Sequence, residues 1–224
     1  MLPTPWEVTW DDGAMELDEV IRRRRMVRRY EVDRTVPDDV LRRLLEYAAR
    51  APSAGFSQGW DFVVLTEAAD RAAFWAATTP PGEEPDSWLS GLKTAPVLVL
   101  CCSDKERYLD RYAEPDKGVT DRDEGFWPVP YWDIDTGMAA LLILLGAVDA
   151  GLGSCFFGIP VGRHKAVHAA LAIPPDRRLV GVVSVGYPAQ DRRSPSLKRG
   201  RRPAAEIVHW GRFGAASPPT PEAL

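Results

Sequence analysis

Residues 137–148, GMAALLILLGAV, constrain this chain more than any other stretch. A helix drawn through them from about Asp135 is apolar on nearly every face. Surface helices carry one apolar stripe opposite a polar one, so a helix without a polar face must be enclosed by protein all round. The run is too short to cross a bilayer, which takes about 20 apolar residues. A chain of 224 residues can bury a sizeable core. A helix this uniform nevertheless predicts a subunit interface as well as a core.

The pattern around that helix alternates between helical and strand periods. Residues 15–29 read as a helix, with Leu17, Val20 and Ile21 on one side and arginines toward its end, where cations suit the helix dipole. TVPDDVLRRLLEYAARAPSA predicts a second helix starting near Thr35 or Asp38. It carries Val40, Leu41, Leu44, Leu45 and Ala48 at helical spacing, and Pro52 stops it. WDFVVLT at 60–66 predicts a strand, EAADRAAFWAATT a helix, PPGEEPDS a loop, and a short helix precedes the strand APVLVLCCS. Residues 104–133 show no clear period, being polar at first and then abruptly aromatic in GFWPVPYWDID. GSCFFGIP is a short strand or turn, VGRHKAVHAALAIP an amphipathic helix and RLVGVVSVGYP a buried strand. From Ala189 the chain is rich in Pro and Arg and is expected to run over another surface. There is no internal repeat and no clean linker, and the irregular connections predict a three-layer α+β domain.

Charge narrows the function classes. The formal net charge is -4, but residues 22–29 and 192–202 hold 12 of the 28 Lys and Arg and no acid, leaving 16 basic against 32 acidic side chains elsewhere. A nucleic-acid binder carries a broad basic face, and this chain is acidic almost everywhere else. Two concentrated basic stretches suit a small anion held between them; each also suits a solvated face. Cys101, Cys102 and Cys155 are odd in number, lack metal-ligand spacing and read as reduced, core-packed thiols. With no apolar signal segment at the start, the chain reads as cytoplasmic, with no membrane partner.

Reactive side chains are scarce. No G-x-G-x-x-G or Walker loop occurs, and G-x-S-x-G occurs as GFSQG at 55–59, between a predicted helix and a predicted strand rather than in the strand-to-helix turn of a nucleophile elbow. His164 and His168 lie four apart without a third ligand nearby and read as surface histidines, so no metal is expected. Ser53 has no candidate base close in sequence. A chain poor in reactive groups but rich in arginine and aromatics points to a bound cofactor that carries the chemistry.

Three separated stretches in order resemble the flavin-dependent nitroreductase family: IRRRRMVRRY…LLEYAARAPSAGFSQGWDFVVL, DTGMAALLILLGAVDAGLGSCFFG and GYPA…KRGRRPAAEIVH. The resemblance runs from roughly Glu16 to Trp210. It implies one nitroreductase-like domain over residues 1–224, with an N-terminal extension at 1–14 and a C-terminal arm at 189–224. The implied fold is three-layered α+β, a central mixed sheet flanked by helices, in an intertwined homodimer with FMN at each interface. The implied reaction moves a hydride from NADH or NADPH through flavin N5 to a small-molecule acceptor, with no catalytic side chain.

The same resemblance assigns residues. The family's basic, hydroxyl and basic positions fall on Arg24, Met26 and Arg28, with Arg24 toward the phosphate and Arg28 toward the pyrimidine edge. Met26 departs from the usual serine and donates no hydrogen bond, so a further arginine, Arg25, is counted among the contacts. Arg199 and Arg201 take the basic pair before Pro203, where guanidinium forks suit a phosphate. Pro52, Ser53, Ala54, Phe56 and Gln58 fall on the loop that meets the flavin from the other subunit, with Phe56 and Gly59 where relatives often carry Asn and Pro. Phe157 and Gly158 fall where the family offers a backbone N–H to N5. Phe56, Trp127, Tyr131 and Trp132 are expected to line an apolar pocket for a nitroaromatic, quinone or similar planar acceptor; the alternative for the aromatic block is packing at the dimer surface. Two rival functions keep the scaffold: an FMN-dependent oxidase or dehydrogenase of a small metabolite, and a non-catalytic flavin or deazaflavin carrier.

Overall fold

The computed structural model describes residues 13–80, 82, 84–119, 121–191 and 194–215. Most of the N-terminal extension expected at 1–14 therefore lies outside the described residues. Two compact units divide the chain, Met1–Asp191 and Arg192–Leu224. The first contains helices α1 (Leu17–Arg23), α2 (Asp38–Ala49), α3 (Ala68–Thr78), α4 (Ser87–Leu92), α5 (Lys105–Tyr112), α6 (Tyr131–Asp149) and α7 (His164–Ala170). Its strands are β1 (Trp60–Leu65), β2 (Val97–Ser103), β3 (Gly153–Phe157) and β4 (Arg178–Gly186).

The strands form one sheet in the order β1-β2-β4-β3, and every pairing is antiparallel. The mixed sheet expected from the family resemblance is thus corrected for these four strands. The parallel component is a single bridge, Met26 to Ser154, at the outer edge of β3. β2 is buried along its whole length, because alternate residues serve opposite faces. Leu98, Leu100 and Cys102 join Phe74, Trp75, Leu92 and Val167 on one side. Val97, Val99 and Cys101 join Leu41, Leu44, Ala139, Ile143 and Ala147 on the other. These two cores make the three layers. They also send the adjacent Cys101 and Cys102 to opposite faces, where both stay free thiols.

α1 is shorter than the sequence reading. It ends at Arg23, and Arg24 has left helical geometry with φ -56° and ψ 122°. An arginine run has no apolar stripe to hold a helix on the core. Instead the chain extends along β3: Val27 N–H donates to Ser154 O at 2.9 Å, and Val27 and Tyr30 enter the core. α5 was illegible because only Tyr108 and Leu109 of its eight residues are buried. Its available signal was Asp104, whose carboxylate caps the helix by accepting from Glu106 N–H at 3.1 Å.

α6 begins at Tyr131, four residues before the expected start, and reaches 19 residues. By length and composition that could cross a membrane, yet half of its apolar window is buried in the domain. Gly146 lets α2 approach closely, since a Cβ there would lie 2.6 Å from Tyr47 and 2.9 Å from Leu44. The helix is not enclosed all round by its own chain: Ile134 and Leu141 on its far face are exposed.

Candidate functional site

The arginine segment after α1 is held by its backbone. Tyr30 is buried, with its hydroxyl 2.6 Å from Val27 O and 2.7 Å from Ser184 Oγ. Burial pushes the Tyr30 phenol well above its ordinary range, so it stays a neutral donor. Tyr30 N–H donates to Thr94 Oγ1 at 2.8 Å, and Thr94 Oγ1 donates to Gly91 O at 2.6 Å. Gly91 of α4 lies directly on the segment, where a Cβ would stand 2.4 Å from Arg28 O.

The guanidinium groups on this clamped backbone divide into two sets. Arg23 pairs with Glu19, and Arg22 Nε donates to Asp18 O at 3.2 Å, both along the exposed helix. Arg24, Arg25, Arg28 and Arg29 form no ion pair with any carboxylate among the described residues. Arg28 donates to Met26 O at 3.3 Å. Arg24 and Arg28 are half-buried and Arg25 is exposed. Met26 is half-buried and packs against both cores. The adjacent Ser154 hydroxyl is buried without a hydrogen-bond partner among the described residues, a group the sequence reading missed because an isolated serine in a strand carries no signal. Unpaired guanidinium groups on a fixed backbone suit an anion.

A second feature is the turn 53–58. Gly55, Phe56 and Gln58 all have positive φ, at 62°, 57° and 51°. For Phe56 and Gln58 this backbone is strained, costing on the order of 1–3 kcal/mol each, and such strain gathers at functional sites. Phe56 is 75% exposed as a result. Ser53 Oγ accepts from Gln58 N–H at 3.0 Å and is used up in shaping the turn. Pro52 is exposed, and Ser53 and Ala54 are half-buried. Gly59 follows because nothing larger fits: a Cβ there would lie 2.4 Å from the Tyr108 ring and 2.6 Å from Asp104 O.

The aromatic block folds around Trp127. Its ring lies edge-on or tilted to Tyr108, Tyr112, Phe126, Tyr131 and Trp132, with centroids 4.5–6.0 Å apart. Trp132 is only 5% exposed, so its expected place in the lining of a pocket is corrected: it packs beneath Trp127 and Tyr108 as core. Tyr131 and Phe126 remain at the surface.

At the end of β3 the Phe157 side chain is buried, stacked on Trp75 at 5.8 Å and 10°. The Phe157 backbone pairs with Val182 of β4. Gly158 is exposed, and a Cβ there would meet nothing within 4 Å. In the second unit, Arg199 and Arg201 are exposed without carboxylate partners among the described residues, whereas Arg202 pairs with Glu206. His164 and His168 are half-buried and turned onto backbone oxygens, of Ile159 at 3.1 Å and of Ile173 and Pro174 at 3.2 and 3.1 Å.

The nitroreductase family profile matches residues 21–187, which include the arginine segment, the strained turn, α6 and β3. This chain belongs to the nitroreductase family. A 4-nitrobenzoate reductase of Nocardioides sp. is 32% identical over 199 residues, spanning 76% of this chain and 79% of that one. An NADH dehydrogenase of Thermus thermophilus is 29% identical over 207 residues, spanning 84% and 92%. The fold matches a solved nitroreductase-like structure of Desulfovibrio desulfuricans in complex with FMN at a TM-score of 0.66. That pair is 24% identical, over 92% of this chain and 99% of the other.

Proposed function

We propose that the chain is a homodimeric, FMN-dependent oxidoreductase. It takes two electrons from NADH or NADPH and passes them to a nitroaromatic, a quinone or a similar planar acceptor. The observation that carries this reading is the set of unpaired guanidinium groups at Arg24, Arg25 and Arg28 on a backbone clamped by Tyr30, Thr94 and Gly91. Arginine cannot be deprotonated in a protein, so these unpaired charges suit an external anion, and a phosphate dianion matches their geometry. FMN, when bound, supplies the hydride chemistry through its N5.

The chain's own part is binding and orientation. Arg24 and Arg25 would hold the phosphate, and Arg199 and Arg201 are further guanidinium groups we assign to FMN. Met26 has no donor to add. Arg28 would place a cation by the pyrimidine edge, where it favours the anionic reduced ring. Of the two positions assigned to N5, Phe157 and Gly158, the backbone of Gly158 beyond the end of β3 would offer N–H, with its bare Cα allowing close approach. Pro52, Ser53, Ala54 and Gln58 would border the ring, and Phe56, Trp127 and Tyr131 would give the acceptor an apolar surface. The exposed apolar side chains of α1 and α6, Leu17, Ile21, Ile134 and Leu141, are the surface we assign to the second subunit. Of these, Leu17 also lines a groove of about 470 Å³ with Val20, Tyr47, Leu142 and Leu145.

The first test is the visible spectrum of the purified protein, with the released chromophore identified by mass. FMN is expected; a deazaflavin would favour a carrier, and a protein that stays colourless with added FMN would remove the reading. Arg28→Ala and Arg201→Ala are each expected to weaken FMN binding about 10–100-fold, the worth of a charge-assisted hydrogen bond. Retention as tight as the parent's would show the wrong residues were assigned.

A further inference from the structure

The strained turn has few external supports. Its internal bonds run from Phe56 N–H to Ser53 O at 2.9 Å, from Ser57 N–H to Ala54 O at 3.1 Å and from Ser57 Oγ to Ala54 O at 2.7 Å. Two side chains from elsewhere tie it down: Arg111 of α5 donates from Nε to Gly55 O at 3.0 Å, and Asp135 Oδ2 accepts from Ala54 N–H at 2.8 Å. Asp135 projects from the second turn of α6 and is 1% exposed. The same Oδ2 accepts from the Tyr108 hydroxyl at 2.8 Å. One buried oxygen thus joins three elements.

Tyr108 passes that link outward. Its ring lies 5.8 Å from Trp127 and 6.2 Å from Trp132, while Tyr112, one helical turn later, lies 4.5 Å from Trp127. Gly55 rests against Tyr112, where a Cβ would come within 2.6 Å of the ring. α5 is a wedge with the strained turn on one side and the aromatic block on the other. A carboxylate enclosed this fully is retained where its fixed acceptor geometry matters, since it is costly to bury.

We propose that Asp135 is a positioning residue for the acceptor side of the site. It locks the 53–58 turn to α5 and thereby fixes Phe56 relative to Trp127, the two apolar surfaces on which a planar aromatic acceptor would lie. The kinetic part of this assignment rests on the flavin reductase reading above; the structural part does not. The carboxylate takes no part in proton transfer and touches no substrate. Its contribution is to hold a turn that Phe56 and Gln58 would otherwise relax.

The test uses the full chain with and without FMN. Chymotrypsin cleavage after the exposed Phe56 reports the turn in the flavin-free protein. Asp135→Ala is expected to speed that cleavage at least about tenfold. Asp135→Asn keeps an oxygen for the Ala54 amide and should stay within about twofold of the parent. Tyr108→Phe removes one of the two donors and should speed cleavage about threefold, which keeps the idea testable if Asp135→Ala does not fold. In the loaded protein, with NADH and 4-nitrobenzoate, Asp135→Ala is expected to raise KM about tenfold and change kcat less than about threefold, with Asn restoring KM. Parent-like cleavage in both Asp135→Ala and Tyr108→Phe would overturn the positioning role, as would equal losses of kcat in the Ala and Asn variants. A parent that binds no FMN would sink the reductase reading alone and leave the cleavage comparison to judge the turn.

Discussion

Raising the pH above about 9 is expected to unfold this protein steeply. Burial pushes the thiol of Cys101 well above its ordinary value of 9.0 and that of Cys102 up to about 12, and it raises that of Cys155. For Cys102 the neighbouring Asp61 adds to burial, while Arg177 opposes it. In the unfolded chain all three thiols lose their protons near pH 9; in the folded chain Cys101 and Cys102 keep them, and Cys155 loses its proton at higher pH than when unfolded. The unfolded state then binds fewer protons, so the stability these groups contribute is complete below pH 9 and is lost as pH rises toward the folded values. Cys101 and Cys102 each contribute a slope of about 1.4 kcal/mol per pH unit, so the two approach about 3 kcal/mol per unit, and Cys155 adds in the same direction. Tyr30 and Tyr108, raised chiefly by burial, add to the loss above pH 10. Urea midpoints at pH 8, 9, 10 and 10.5 measure this directly. A midpoint that held constant across that range would show the thiols to be more accessible than their burial indicates. The same burial predicts no reaction with iodoacetamide in the native state at pH 8.

Gly91→Ala is expected to cost about 2 kcal/mol of stability and to loosen FMN binding together with it. Helix propensity alone would make this substitution favourable by about 1 kcal/mol. Packing reverses the sign, because the new Cβ would stand 2.4 Å from Arg28 O, a backbone atom that cannot rotate away. The clash would push α4 off the arginine segment, or push the segment itself, through the Thr94 bridge to Tyr30 N–H. Urea denaturation and FMN titration of the same variant separate the two consequences. A variant as stable as the parent would mean that α4 shifts freely against Arg28. The contact would then not position the site.

The parts of the fold that were legible in the sequence are those with a strong period. α2 came out with its apolar face correct, Leu41, Leu44 and Ala48 being buried as their spacing requires. β2 and β4 are continuous apolar runs, and both lie in the middle of the sheet. α5 was missed because only two of its residues, Tyr108 and Leu109, are buried, and the block at 126–132 because aromatic density has no period. α1 was drawn too long because arginine is a good helix former, and propensity yielded to the tertiary pairing of Met26 and Val27 with Ser154.

Of the site, the arginine segment and the family were readable from residue types and their order. Asp135, Tyr108 and Ser154 were not, since a single acid, phenol or hydroxyl becomes functional through what it faces. Trp132 shows the reverse: a residue whose type suggested a pocket lies under two other rings.

By itself, then, the sequence determined the layers, the central helix and the charge, because hydrophobic period and ionic character belong to residues wherever they are placed. Only the tertiary structure decided which arginines stay unpaired, why Gly59 and Gly91 carry no side chain, and which buried oxygen holds the strained turn. Those are properties of distances between segments far apart in the chain, 81 residues for Ala54 and Asp135, and no local pattern encodes them.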